Sequence, residues 1–201
     1  MKIVAMNTKI DDVKDIAEMI YYTDKFLAQL IFGHNKNSVI STLCRLIERG
    51  NNFFGYENVN LIVDEGKILG YYIGFQVADA RNWSVTRSYI STMSYSQLAR
   101  YIIYGRKIIN QLLISHMNQD DYYLSNMYVK PASRNNGVGS LMLRHVITDA
   151  LRLGCKRIVL EVSSENKARF LYTRLGFKEV DRKQASIMRQ LYTVVHMEYT
   201  V

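Results

Sequence analysis

Between Tyr128 and His145 the chain reads YVKPASRNNGVGSLMLRH, a hydrophobic strand that turns through a proline into a glycine-bearing helix start. The first amides of a helix have no intrahelical acceptor, and aligned peptide dipoles place about half a positive charge there. The backbone from Asn135 and Asn136 through Gly137, Val138 and Gly139 could therefore grip an anion such as a pyrophosphate, with Lys130 and Arg134 adding charge at the rim. Gly137 and Gly139 carry no Cβ, tolerate positive φ and let the anion come close. Plain strand-to-helix turns also contain glycine, so the segment alone leaves both uses open. Two familiar nucleotide loops do not fit. A P-loop needs Gly-Lys-Ser/Thr where Gly139 is followed by Ser140 and Leu141, and a dinucleotide fingerprint needs a small residue where Met142 stands.

One further side chain could move protons. Glu161 interrupts the apolar run Ile158 to Val162, and a carboxylate in a buried strand is costly unless it is paired, solvated by a cleft or used. It either holds a nearby cation or loop amide, or it serves as a base. Tyr172 shares a helical stripe with Ala168, Leu171 and Leu175, the pattern of a packed helix tyrosine. His145 lies on the apolar side of its helix and is read as a core residue. Cys44 and Cys155 are isolated, without metal-ligand spacing, and are read as reduced core thiols.

The elements that must position these residues alternate in period. Residues 2 to 7 read as a strand, and Asp11 and Asp12 open a helix carrying Val13, Ile16, Ala17 and Ile20. Asn37 or Ser38 is placed to cap a second helix ending before Gly50. Leu61 to Asp64 and Ile68 to Gln76, joined by Glu65-Gly66-Lys67, read as an antiparallel hairpin. The spacing from Ser94 to Met117 predicts a long amphipathic helix. Tyr122 to Val129 is the next strand, and the helix from Gly137 to about Leu153 buries Val138, Leu141, Met142, Val146, Ala150 and Leu153. Ile158 to Val162 reads as a central parallel strand covered on both faces. A helix from Asn166 stops at Gly176, where Phe177 can pack back on Leu171 or Tyr172. Phe177 to Asp181 and Leu191 to Tyr199 complete the sheet.

Length and composition bound the rest. With 201 residues, 48% hydrophobic and 22% charged, the chain is expected to be one soluble domain spanning 1–201. No apolar run approaches the roughly 20 residues of a membrane span, and MKIVAMNTKIDD reads as a strand rather than a signal peptide, so a cytoplasmic location is expected, with no membrane partner. The formal charge of +8 is spread among acids rather than gathered in an arm, so a phosphate-bearing cofactor accounts for it at least as well as nucleic acid, which is not expected as a partner.

Val129, Arg134, Gly137 and Gly139 stand at the spacing of the acyl-CoA-binding motif of the Gcn5-related N-acetyltransferases (GNAT). After one intervening strand, Asn166, Ala168, Leu171, Tyr172, Leu175, Gly176 and Phe177 resemble the family's second signature. The resemblance is close over residues 122 to 180 and looser over 1 to 76. It implies an α/β (α+β) fold with a mixed, mostly antiparallel sheet, a splayed central parallel pair and helices on both faces. Residues 77–119, which match nothing in the family, would then be a helical insertion: added core, a homodimer surface, or a lid over the acceptor site. The implied reaction is acetyl transfer from acetyl-CoA to a primary amine by direct attack, without a metal; a non-catalytic acyl-CoA sensor is the alternative. The implied cofactor contacts are the main chain of Met127 and Val129, then Arg134, Asn135, Asn136, Gly137, Val138, Gly139 and Ser140, with Asn166. Tyr172 stands where the family protonates the departing thiolate. Glu161 is the leading base, with Asp121, Tyr122 and Tyr123 as alternatives. Only Lys167 separates Asn166 from Ala168, where the family has two residues, so the bend before that helix is expected to differ.

Overall fold

The computed structural model describes residues 1–81, 85–105, 117–187 and 190–201. Strand β1 (Lys2–Ala5) leads to helix α1 (Val13–Thr23), whose N-cap Asp12 accepts hydrogen bonds from the Lys14 and Asp15 amides. Helix α2 (Lys25–Phe32), which the sequence did not announce, follows directly on the cap Asp24, and α3 (Lys36–Arg49) is capped by Asn35 rather than by Asn37 or Ser38. The Asn35 side chain accepts from the Ser38 amide at 3.0 Å, so the third residue on, not the cap itself, carries serine. Strands β2 (Val59–Asp64) and β3 (Lys67–Gln76) form the expected hairpin. Its two turn residues, Glu65 and Gly66, both take positive φ, as the strand-matching turn requires.

The segment expected as an insertion holds short helices α4 (Val77–Arg81), α5 (Val85–Thr92) and α6 (Tyr95–Arg100), then a π turn at Tyr101–Gly105. The long helix expected from Ser94 begins as predicted, with Ser94 and Gln97 forming a reciprocal capping box, but its stretch 106–116 lies outside the described residues. Strand β4 (Asp121–Val129), a short 3-10 turn at Pro131–Ser133, helix α7 (Val138–Arg152) and strand β5 (Arg157–Ser163) follow. Helix α8 (Ala168–Arg174) and strands β6 (Lys178–Ile187) and β7 (Gln190–Thr200) close the order.

The sheet runs β1-β2-β3-β4-β5-β7-β6, and β4 and β5 are its parallel pair among otherwise antiparallel neighbours. Alternation sends Tyr71, Ile73, Phe75, Tyr123 and Val159 to one face, where α1, α2 and α3 pack, and Tyr72, Tyr122, Leu124, Ile158 and Leu160 to the other, under α7 and α8. On α7 the buried stripe includes Leu143, whereas Leu153, expected inside, is 38% exposed because the helix has already ended at Arg152. No helix among the described residues is long and apolar enough to cross a membrane.

Candidate active site

Only Asp121, Tyr122 and Tyr123 of β4 pair with β5, opposite Arg157, Ile158 and Val159. Beyond them the strands part, because each continues with its other neighbour: β4 with β3 as far as Val129, β5 with β7 as far as Ser163. The register slips where Gly74 opposes Leu124 and Ile73 opposes Asn126, leaving Ser125 as a bulge at the start of the gap. Past the bulge, the Lys130 amide bonds to the Leu69 carbonyl at 2.9 Å, and pairs in an antiparallel ladder alternate. Tyr128 and Asn126 therefore face β3, and the main-chain groups of Met127 and Val129 point into the gap.

A cavity of about 650 Å³ runs through this opening, lined by Ser125, Asn126 and Met127 of β4, Glu161 of β5, and Asn166 and Tyr172 on the α8 side. It joins the two faces of the sheet. Glu161 has the parity of Val159 and faces α1–α3, whereas Tyr172 packs in the core beneath α7 and α8.

Glu161 has a side chain only 6% exposed, and its Oε1 lies 3.7 Å from Nδ1 of His196, the residue opposite it on β7. Burial pushes its carboxyl up to about 8; the neighbouring Tyr123 hydroxyl and the positive charge of Lys183 draw it back without overcoming that cost. Oε2 is buried and accepts no well-formed hydrogen bond from the described residues. Tyr172 is 7% exposed and packs on Phe177 with ring centroids 5.9 Å apart, the contact expected at the end of its helix. Burial pushes its phenol up to about 12, so it holds its proton at neutral pH.

The other candidates separate. Asp121 is fully buried in a two-pronged pair with Arg157 (3.0 and 2.7 Å) and also accepts the Asn118 amide, which commits it to closing the paired end of β4 and β5. Tyr122 faces α7, away from Glu161, while Tyr123 lines the cavity beside it. His145 is half-buried, its Nδ1 2.8 Å from the Tyr72 hydroxyl and 3.3 Å from Asp149, a structural pairing on the α7 face.

At the glycine loop, Asn135 (φ 64) and Gly137 (φ 77) both take the left-handed conformation, which turns the chain into α7 with the first-turn amides of Val138, Gly139 and Ser140 at its open end. The two glycines do different work. A Cβ at Gly137 would meet nothing within 4 Å, whereas one at Gly139 would lie 2.8 Å from Leu171 Cδ2. Gly139 thus lets α8 approach α7. Arg134 folds back, its Nε 3.1 Å from the Val129 carbonyl, and Asn166 Oδ1 accepts the Ala168 amide at 2.9 Å, which starts α8 despite the shortened spacing. Sequence reasoning missed Arg174: its Nη2 lies 3.3 Å from Ser140 Oγ, adding a cation beside the loop. Its place after Tyr172 gave no hint, since only tertiary packing brings α8 to the start of α7.

A family profile described as the acetyltransferase (GNAT) family matches residues 46–177. The [ribosomal protein bS18]-alanine N-acetyltransferase of Haemophilus influenzae is 35% identical over 95 residues, which are 45% of this chain and 64% of that protein, so the match spans less than two thirds of the relative's length. An N-acetyltransferase from Staphylococcus aureus Mu50 superposes with a TM-score of 0.74 at 16% identity, covering 99% of this chain and 100% of that one. A Bacillus subtilis acetyltransferase solved in complex with CoA superposes at 0.57 with 11% identity, covering 100% and 98%. With the profile covering more than half of the residues, the chain belongs to the acetyltransferase (GNAT) family.

Proposed function

We propose that the chain is an N-acetyltransferase that moves an acetyl group from acetyl-CoA to a primary amine by direct attack. One observation carries this reading: a single cavity through the β4–β5 opening is lined by a buried carboxylate with a raised pKa and a protonated buried phenol. The donor lies on the α7–α8 side, its pantetheine along the main chain of Met127 and Val129. Its pyrophosphate meets the backbone from Arg134 to Ser140, with Asn166 and Arg174 nearby. The acceptor enters from the α1–α3 side.

Glu161 takes a proton from the ammonium, and the neutral nitrogen attacks the thioester carbon. A β4 amide at the bulge donates to the oxyanion of the tetrahedral intermediate. As the C–S bond breaks, the sulfur takes the Tyr172 proton. The nitrogen sheds its remaining extra proton through solvent, which restores the phenol, and Glu161 releases the proton it took to bulk water. We read residues 1–201 as one domain in which 77–119 walls the acceptor side through Val77, Tyr89, Tyr101 and Met117. A cytoplasmic location belongs to the same proposal, consistent with Cys44 and Cys155 as free thiols. The name of the Haemophilus influenzae relative supplies a second acceptor reading, the N-terminal amine of a protein. Thiol release from acetyl-CoA across an amine library tests the reaction. CoA binding without release from any amine would instead favour a sensor.

A further inference from the structure

Past Glu161 the cavity continues on the α1–α3 side, and its walls there are mostly apolar. Tyr123 meets Phe75 edge-on with ring centroids 5.6 Å apart, and Phe75 meets Phe53 at 5.7 Å, so a run of rings leads inward from the carboxylate. Tyr89 and Tyr101, 4.8 Å apart, and the fully buried Leu43 extend the same lining. Charge is sparse. Among the described lining residues the carboxylates are Asp24 and Glu161, and the one cation, Lys25, is exposed. Asp24 is already engaged: Oδ1 accepts the Leu27 amide at 2.9 Å and Oδ2 accepts the Tyr192 hydroxyl. Glu161 Oε2 is the carboxylate oxygen left open.

From this arrangement we propose that the acceptor is a small monocationic amine on an apolar, ring-bearing body, its nitrogen at Glu161 and its body along Phe75, Phe53, Leu43 and Tyr89. The inference rests on the acetyl-transfer reading and names the substrate class for that site. Each methylene withdrawn from water strengthens binding by about fourfold, and an ammonium beside ring faces gains a further attraction. A polyamine would carry a second ammonium into walls with no open carboxylate to meet it. An extended peptide would press a row of main-chain N–H and C=O groups against walls that offer only scattered hydroxyls.

Calorimetry on the full chain saturated with CoA, titrating 2-phenylethylamine, ethylamine, spermidine and an alanine-led tetrapeptide, tests the proposal. 2-Phenylethylamine is expected to bind at least tenfold tighter than each of the others, about 1.4 kcal/mol. Ala28→Phe, which fills the cavity from α2, is expected to cut that affinity at least fivefold. If the variant does not fold, the ranking by the unaltered chain decides. Binding of 2-phenylethylamine no tighter than that of ethylamine, spermidine or the peptide overturns the proposal. Thiol release with the same amines is scored separately. Turnover of spermidine or peptide with 2-phenylethylamine inert overturns the acceptor class and leaves acetyl transfer standing. No release from any amine counts against acetyl transfer, and the binding ranking still decides what the cavity accepts.

Discussion

Glu161 and Tyr172 are both buried, and burial shifts both upward, with opposite consequences for their use. A phenol at about 12 remains a proton donor across the working range, and its hydroxyl makes no hydrogen bond with the described residues that its loss would break. Tyr172→Phe keeps the ring on Phe177 and is expected to lower kcat ten- to a thousandfold while CoA affinity and Tm hold; steady-state kinetics with calorimetry checks this. A kcat within twofold of the parent would remove Tyr172 as the acid. Glu161 has an ordinary value of 4.5 and is pushed to about 8 in the folded chain. Between these values the unfolded chain binds fewer protons than the folded one. The stabilising contribution is therefore full below about 4.5, falls as pH rises towards 8, and is level above that. Glu161→Gln should abolish this slope, giving a relative gain in unfolding free energy on the order of a few kcal/mol by pH 8, and should also flatten the alkaline rise of kcat/KM. Chemical denaturation at a series of pH values reads the first. His196, Tyr123 and Lys183 face the same carboxyl, and a slope surviving in the variant would remove Glu161 as its source.

At the scale of elements, the loop into α7 and the contact of α7 with α8 place the two glycines under different constraints. Gly137 has open space but positive φ, so Gly137→Ala should cost about 1 kcal/mol through backbone strain. Gly139→Ala crowds the terminal methyl of Leu171, which can swing aside, and makes an ordinary contact with Val129, so it should cost less than Gly137→Ala despite the tighter site. Urea unfolding of the two variants tests the order, and the reverse order would mean that packing, not φ, governs the loop. A bulkier side chain at 139 would push α8 away and carry Tyr172 with it, so the donor site is better probed by Gly137→Glu. There CoA affinity should fall at least tenfold, about 1.4 kcal/mol by calorimetry.

Across the whole molecule, the described part of the segment 77–119 is hydrogen-bonded to the helices beside it. Arg45 of α3 donates to the Thr92 carbonyl from Nε and Nη2 (3.1 and 2.9 Å), Gln97 Nε2 donates to the Phe32 carbonyl at 3.0 Å, and Asn52 Nδ2 donates to Ser88 Oγ at 3.0 Å. Removing residues 79–117 would leave the buried Asn52 side chain and Phe32 carbonyl without these partners and open the core beneath Tyr89, so a Gly-Ser replacement should be insoluble or lose its cooperative thermal transition. A folded deletion with a sharp transition would return the segment to the status of a detachable lid. The sequence by itself determined the hairpin, the glycine turn into α7, the strand broken by Glu161 and the helix bearing Tyr172, because each is written in local period, turn chemistry or motif spacing. Helix α2 was not legible, since KFLAQLIF is only eight residues long and its two polar residues, Lys25 and Gln29, are too few to set a helical period. Nor could local pattern show that Gly139 serves Leu171, that Arg174 reaches Ser140, or that Asp121 is consumed by Arg157. Those depend on which elements meet across the sheet. The parting of β4 from β5, which lets one cavity reach both Glu161 and Tyr172, is decided by pairing with β3 and β7, partners far away in the chain.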